Sequence, residues 1–222
     1  MQAIVLADGD IGTRMDLDAA WPGWLEADAI VIAADGGARH AAALGLDLDR
    51  WVGDGDSLGE DGVDRLRAAG IPVHLAAAEK DESDTELAVR AALEAGADRI
   101  VILGALGGPR VDHALANIGL LAMPALRAVP ACLLDAKSRI SLITGPVTNA
   151  LPGPTGATVS LLPQGDGVLG VTTEGFAYPL HDEPLPAGPA RGLSNIRIAS
   201  TASVTVRSGH LLVVEAPATL ST

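Results

Sequence analysis

Short apolar runs alternate with alanine-rich amphipathic stretches through the first two thirds of the chain. Most of the apolar runs are continuous rather than alternating in polarity, which is typical of strands buried on both faces of a parallel sheet. The predicted strands are residues 3–7, 29–33, 51–53, 72–75, 99–103 and 131–134. The predicted helices are residues 37–44, 59–69, 83–95 and 111–121, which end at or near Gly or Pro. This alternation indicates an open, mostly parallel α/β sheet with right-handed crossovers.

The pattern changes after residue 144. Residues 145–156 are rich in Pro and Gly and are predicted to form a linker. Short β-rich runs separated by Gly follow at residues 157–162, 168–173, 196–200, 203–207 and 211–215. Residues 140–143 fit either the end of the first domain or the start of the second. We therefore predict an α/β domain over residues 1–144 and a small antiparallel β domain over residues 157–222.

Composition limits the possible functions. With 222 residues, 48% of them hydrophobic, the chain is long enough to bury a proper core. Its formal net charge of −13 opposes nonspecific binding to nucleic acid or to an anionic membrane surface. Cys132 is the only cysteine, which excludes an intrachain disulfide and fits the reducing cytoplasm. No signal peptide is expected, because the N-terminal apolar run has no basic flank and no small-residue cleavage site. No membrane span is expected, because no apolar run is long enough.

The segment Trp51–Leu58 sets two carboxylates, Asp54 and Asp56, two residues apart among glycines. Acids at this spacing in an extended loop project to the same side and repel each other unless a cation or proton lies between them. Gly53 and Gly55 allow close approach of a ligand to the backbone. This pattern predicts a magnesium and phosphate site, although an acidic surface turn has the same composition.

Three further polar loops are predicted at the carboxyl ends of strands, where open α/β sheets bind ligands. They cover residues 34–37, 79–84 and 104–112. In the second loop, Lys80 and Asp81 precede a helix N-terminus, which favours a metal-bound phosphate. A solvated loop lysine is the alternative for Lys80, and Ser83 with Glu86 forms a capping box, which is a structural role.

The third loop combines glycines with an arginine and an acid. Gly107 and Gly108 permit close backbone approach, and Arg110 can contact phosphate oxygens with two parallel hydrogen bonds. Asp112 fits either a metal ligand or a helix cap. Because the chain has no Walker A sequence and no correctly placed Gly-x-Gly-x-x-Gly, neither a P-loop nor ordinary dinucleotide binding is indicated.

Six motifs, in this order and spacing, span nearly the whole chain. They are Ala33–Ala38, Val52–Ser57, Lys80–Glu86, Gly104–Asn117, Thr173–Leu180 and Gly192–Asn195. As a set, they resemble the thiamine pyrophosphokinase family. The resemblance implies an N-terminal α/β catalytic domain, a C-terminal β-sandwich, and a homodimer with thiamine between domains of different subunits. It also implies that Mg²⁺-bound ATP donates its β,γ-diphosphoryl group to the thiamine hydroxyl and leaves AMP.

The same resemblance assigns roles to individual residues. The magnesium and catalytic positions are Asp54, Asp56 and Asp81. The positions lining ATP and its phosphates are Asp35, Gly36, Gly37, Lys80, Asp84, Thr85, Gly107, Gly108, Arg110 and Asp112. The positions holding the thiamine pyrimidine are Ser194 and Asn195. Asp81 and Asp112 are both candidates for the catalytic base, and Phe176 and Tyr178 are candidates to stack on the thiazolium.

Two residues depart from the family pattern. Gly55 stands where the family usually has a bulky residue between the two acids, and Ile196 stands where bacterial members usually have an acid. Three other functions fit parts of the pattern: a diphosphokinase for a pterin alcohol, a non-catalytic nucleotide or thiamine sensor, and a metal-dependent phosphodiesterase.

Overall fold

A computed structural model describes residues 1–218 and divides the chain into two compact units, Met1–Ala136 and a second that begins at Lys137. The division lies between residues 136 and 137 rather than after residue 144. Residues 140–143 open the second unit, because the strand Arg139–Thr144 pairs with a strand near the end of the chain. Residues 219–222 of the predicted second domain lie outside the described residues.

The first unit is a parallel sheet with helices between its strands. Its strands are β1 (Gln2–Leu6), β2 (Ile30–Ala34), β3 (Arg50–Gly53), β4 (Val73–Leu75), β5 (Arg99–Leu103) and β6 (Ala131–Leu134). Its α-helices are α1 (Arg14–Ala20), α2 (Arg39–Leu44), α3 (Gly59–Ala68), α4 (Asp84–Glu94) and α5 (Val111–Leu120). Short 3₁₀ turns cover Asp35–Ala38 and Pro124–Leu126. The strand order is β4-β3-β2-β1-β5-β6, with every pair parallel.

The continuous apolar runs form strands that are covered on both faces, as predicted. All five residues of β1 are buried at the centre of the sheet, and α4 packs across β1, β2 and β3. Helix α1 is absent from the sequence prediction because only Leu17 of its seven residues is buried, so its apolar pattern is weak. A reciprocal capping box between Thr13 and Asp16 begins this helix and is its clearest sequence signal.

The second unit is antiparallel throughout. Its strands are β7 (Arg139–Thr144), β8 (Val147–Pro152), β9 (Thr158–Glu174), β10 (Glu183–Leu185), β11 (Asn195–Ile196), β12 (Thr201–Val206) and β13 (Ser208–Glu215). The first part of β9 pairs with β13, and its last residues pair with β12. The predicted runs 157–162 and 168–173 are therefore parts of one long strand. The fold class, parallel α/β followed by an all-β part, is confirmed.

The predicted linker is largely β-structure. Within residues 145–156, the segment Val147–Pro152 forms β8 and pairs along its whole length with β12. Gly and Pro flank the strand instead of interrupting it, and Pro152 is its last residue. Because β8 lies at the end of the strand order, the missing N–H of Pro152 is tolerated. The density of Gly and Pro in the sequence obscured this short strand.

Candidate functional site

The parallel order of the first unit brings several polar loops to one edge of its sheet. The loops after β2, β3 and β4 are neighbours because these strands are neighbours, and the loops after β1 and β5 adjoin them. Strand β1 lies between β2 and β5, where the chain changes its direction of winding. Ligand crevices of open α/β sheets form at such a point. No helix within residues 1–218 has the length and apolar surface needed to cross a membrane.

Asp35 lies at the centre of this edge, directly after β2. Its backbone has φ of 40°, in the left-handed region, and the residue is only 5% exposed. Trp51 Nε1 donates to its carbonyl oxygen at 3.0 Å, and the Ser57 backbone N–H donates to Oδ2 at 3.2 Å. The second carboxylate oxygen, Oδ1, is buried and has no hydrogen-bond partner among the described residues. An unpaired buried carboxylate oxygen is costly, so this oxygen is suited to bind a cation.

Asp54 and Asp56 follow β3, and each shifts the pKa of the other. The backbone N–H of Asp56 donates to Asp54 Oδ1 at 3.2 Å, and this bond is the main reason that the pKa of Asp54 is lowered. The negative charge of Asp54 is the main reason that the pKa of Asp56 is raised. Gly55 between them has φ of 86°, a conformation that side chains other than glycine rarely adopt. Gly55, which stands where the family usually has a bulky residue, therefore suits the backbone of this loop.

Lys80 bridges two carboxylates. Its Nζ lies 3.1 Å from Asp54 Oδ2 and 3.0 Å from Asp84 Oδ1, and its side chain is only 12% exposed. Burial lowers the pKa of Lys80, but the hydrogen bonds and charges of Asp84 and Asp54 outweigh it, so the pKa is raised. Burial raises the pKa of Asp84 despite its bond to Lys80. The ammonium group thus holds the loops after β3 and β4 together.

Three carboxylates converge closely enough to hold one metal ion. One oxygen each from Asp35, Asp54 and Asp84 lies within 4.8 Å of the others. Carboxylate oxygens are the ligands that Mg²⁺ prefers, and the unpaired oxygen of Asp35 fits this use. Asp56 and Asp81 are outside this group, and Asp81 is exposed. Their assignment as metal ligands stays a prediction.

The turn after β2 needs its glycines. A Cβ on Gly36 would lie 2.5 Å from Asp8 Oδ1, and one on Gly37 would lie 2.0 Å from the carbonyl oxygen of Leu6. Thr85, in the first turn of α4, is 9% exposed. Gly36 and Gly37 are thus explained by close packing, and their contact with ATP stays a prediction.

The loop between β5 and α5 is much more open. Gly107 and Gly108 both have φ of 72°, and Arg110 and Asp112 are more than 60% exposed. Arg110 donates two hydrogen bonds to Asp112, at 2.9 and 2.5 Å. These bonds lower the pKa of Asp112 to about 2. Asp112 is therefore a weak proton acceptor in this arrangement.

The loop after β1 also lies at this edge of the sheet and was not predicted to belong to the site. Asp8 pairs with Arg39, whose Nη2 also donates to the Asp8 carbonyl oxygen at 3.1 Å. Asp10 lies against Gly107, where a Cβ would approach its Oδ2 to 2.5 Å. The signal was present in the sequence, since Asp8-Gly-Asp10 directly follows an apolar run. This loop adds two acids to the same edge of the sheet, and Arg39 of α2 adds a cation beside them.

In the second unit, Ser194 and Asn195 adjoin the exposed Tyr178. Ser194 has φ of 57°, and its backbone N–H donates to Ser160 Oγ at 3.0 Å. The Asn195 amide accepts from the Tyr178 N–H at 3.0 Å and donates to the Tyr178 carbonyl at 2.7 Å. Asn195 therefore fixes the Tyr178 segment. Phe176 is 3% exposed, which excludes stacking on a ligand without rearrangement, whereas Tyr178 is 60% exposed.

Comparison with known proteins gives concordant matches. Residues 22–133 match the family model of the thiamin pyrophosphokinase catalytic domain, and residues 148–211 match its vitamin B1 binding domain. The thiamine pyrophosphokinase of Bacillus subtilis (strain 168) is 29% identical over 192 residues, which cover 86% of this chain and 89% of the relative.

Solved structures agree over nearly the whole length. The crystal structure of Bacillus subtilis thiamine pyrophosphokinase matches with a TM-score of 0.84 at 28% identity. The match covers 98% of this chain and 99% of the Bacillus subtilis chain. The crystal structure of Geobacillus thermodenitrificans thiamin pyrophosphokinase also has a TM-score of 0.84, at 27% identity, and covers 100% of both chains.

Proposed function

Since the chain belongs to the thiamin pyrophosphokinase family, we propose that it transfers the β,γ-diphosphoryl group of ATP to the hydroxyl of thiamine, giving thiamine diphosphate and AMP. The observation that carries the proposal is the convergence of Asp35, Asp54 and Asp84 at the carboxyl edge of the sheet. No observation favours the pterin, sensor or phosphodiesterase alternatives.

We propose that Asp35, Asp54 and Asp84 hold a divalent cation, with Mg²⁺ the natural choice for oxygen ligands that face a nucleotide. A Mg²⁺ ion held by these residues would neutralise charge on the phosphate oxygens during transfer. Asp56 lies at the rim of this group, where the charge of Asp54 raises its pKa. Neutralisation by a cation relieves the repulsion between these two acids.

Two basic side chains, Lys80 and Arg110, are proposed to position ATP in different ways. Lys80, held between Asp54 and Asp84, supplies a fixed positive charge beside the metal ligands. Arg110 is exposed and paired only with its neighbour Asp112, so it is able to exchange this carboxylate for a phosphate. Phosphoryl transfer depends mainly on such positioning and charge stabilisation. Asp81 stays a candidate base, because the low pKa of Asp112 makes that residue a poor proton acceptor.

The second unit is proposed to bind thiamine. Ser194 is exposed and lies beside the Tyr178 segment, which Asn195 holds by hydrogen bonds. Tyr178 presents an aromatic face suited to the thiazolium cation. The side-chain amide of Asn195 is bonded to the backbone of Tyr178, so we propose that Asn195 positions Tyr178 instead of contacting thiamine. The homodimer implied by the family, with thiamine between domains of different subunits, belongs to the same proposal.

The direct test is incubation of the purified protein with Mg²⁺, ATP and thiamine. Thiamine diphosphate and AMP are expected in equal amounts, with neither formed when thiamine is omitted. AMP release without thiamine would indicate hydrolysis, and the absence of both products would contradict the proposed function. Oxythiamine, which changes the pyrimidine and keeps the hydroxyl, tests whether the second unit reads the pyrimidine ring.

A further inference from the structure

A groove on the first unit lies away from the carboxyl edge of the sheet. Helix α4 packs across β1, β2 and β3, whereas the edge strand β4 extends beyond it. The space between the helix and this part of the sheet has a volume of about 430 Å³. Pockets for small organic ligands have volumes of roughly 300 to 1,000 Å³. The groove is therefore large enough for a small molecule.

The floor of the groove is apolar. Val52 of β3 and Ala91 of α4 are 2% and 7% exposed, and Leu87 lies one helical turn before Ala91. Val52 pairs in register with His74 of β4, so the two side chains share one face of the sheet. Arg50, two residues before Val52, lies on that face as well. Strand order and side-chain alternation thus place two basic side chains beside an apolar floor.

The two walls of the groove differ in charge. On the helix wall, Arg90 is bonded to Glu86 at 2.7 Å and lies one turn from Glu94, so its charge is compensated locally. On the strand wall, neither Arg50 nor His74 forms an ion pair with a carboxylate within residues 1–218. In a chain of net charge −13, two basic side chains without acidic partners beside one cavity are unusual.

We propose that this groove is a binding site for a small organic acid whose carboxylate or phosphate group contacts Arg50 and His74, while its apolar body lies on Val52, Leu87 and Ala91. The guanidinium of Arg50 and the imidazole of His74 donate hydrogen bonds to the acid group. Glu94 stands on the opposite wall and opposes the anion. The site is separate from the proposed catalytic function and does not depend on it.

Three naphthalene probes test this proposal: 1-naphthoate, 1-naphthyl phosphate and the neutral 1-naphthol. Probe fluorescence is titrated with the full-length protein in saturating Mg²⁺ and ATP, which occupy the proposed nucleotide crevice. Either anion is expected to bind at least about tenfold more tightly than 1-naphthol. The tighter of the two anions identifies the acid group as carboxylate or phosphate. The ring proton resonances of His74, assigned by comparison with His74→Gln, should shift on binding.

Variants locate the binding. Arg50→Gln combined with His74→Gln should weaken anion binding about tenfold, and Glu94→Gln should strengthen it by about twofold or more. Arg65→Gln on α3 is the matched control, because it removes the same charge from an exposed helix position and should leave binding unchanged. Thermal unfolding of each variant checks that the fold is intact.

Three results would overturn the proposal. They are equal binding of 1-naphthol and the two anions, anion binding that is seen only when Mg²⁺ and ATP are left out, and an equal loss of binding in Arg65→Gln and in the double variant.

Discussion

Two buried acids, one in each unit, have opposite environments. Asp35 in the first unit is 5% exposed and keeps one carboxylate oxygen without a hydrogen-bond partner. Glu215 in the second unit is 4% exposed and has both oxygens paired, one with Arg139 and one with Arg197, each at 2.7 Å. The two acids are equally buried, and only one of them is satisfied.

This difference separates a structural charge from a functional one. The arginines Arg139 and Arg197 offset the cost of burying Glu215, and Arg197 itself is 1% exposed. Removing one partner of such a network leaves an uncompensated charge in the protein interior. Asp35 instead faces Asp54 and Asp84, so its environment favours a cation that is supplied from solution. Substitutions should therefore affect stability in one unit and activity in the other.

The largest effect is expected for Glu215→Gln. This change leaves the buried charge of Arg197 without its counterion and should lower the free energy of unfolding by about 3–5 kcal/mol. Urea unfolding should be followed by far-UV circular dichroism, because Trp21, Trp24 and Trp51 all lie in the first unit. Glu174→Gln, at an exposed position of β9, is the control and should change stability by less than about 0.5 kcal/mol. Equal stability of the two variants would remove the structural role of Glu215.

Asp35→Asn should have the next largest effect, on activity alone. Asn tolerates the left-handed backbone at this position and can still accept the hydrogen bond from Ser57. AMP formation should fall about 10²- to 10³-fold, the scale seen when one group that stabilises transition-state charge is removed. The free energy of unfolding should stay unchanged or rise, because an unpaired buried carboxylate is lost. A stability loss as large as that of Glu215→Gln would erase the contrast between the two acids.

Lys80→Met should separate metal binding from transfer. The ammonium group competes with a cation for Asp54 and Asp84, so its removal should tighten Mn²⁺ binding by about threefold to tenfold. The same change removes a positive charge beside the phosphates and should slow AMP formation by about tenfold or more. Isothermal titration gives the first quantity, and product formation gives the second. Weaker Mn²⁺ binding would show that Lys80 orients the carboxylates instead of competing for them.

The smallest effect is expected for Arg110→Gln. Its exposed pair with Asp112 is screened by solvent, so the free energy of unfolding should change little. The KM for ATP should rise by about tenfold if the guanidinium exchanges Asp112 for phosphate. Arg67→Gln, which breaks the similarly exposed pair with Asp64, controls for loss of charge. An unchanged KM would limit the phosphate site to the loops after β2, β3 and β4.

The sequence predicted the strands of the first unit closely because their apolar runs are continuous and buried. It failed where the signal is weak or mixed. Helix α1 buries only one side chain, and β8 is a short strand within a stretch rich in Gly and Pro. The buried pair of Arg197 and Glu215 was also invisible, because nothing in the sequence near either residue indicates that the residue after β11 lies beside the last residue of β13.

The site was predictable as a set of loops rather than as a set of ligands. Asp54 and Lys80 were identified from their spacing to glycines and to a helix start, and the structure places them 3.1 Å apart. The grouping of Asp35 and Asp84 with Asp54 depends on the order of the strands and on a left-handed backbone at Asp35, which the residue pattern does not reveal. Asp8 and Asp10 were missed although the strand before them was predicted, because Arg39, which pairs with Asp8, lies far from them in the sequence.

The central claim is that Asp35, Asp54 and Asp84 hold the divalent cation, and Mn²⁺ binding to Asp84→Asn and Asp81→Asn tests it most directly. The two residues are three apart, Asp81 before α4 and Asp84 at its first position, and each change removes one negative charge, so Asp81→Asn controls for the loss of charge itself. Electron paramagnetic resonance of free Mn²⁺ gives the affinity without any need for turnover. Asp84→Asn should weaken binding about tenfold or more, and Asp81→Asn should change it by less than about threefold. A greater loss in Asp81→Asn than in Asp84→Asn would contradict the proposed ligand set.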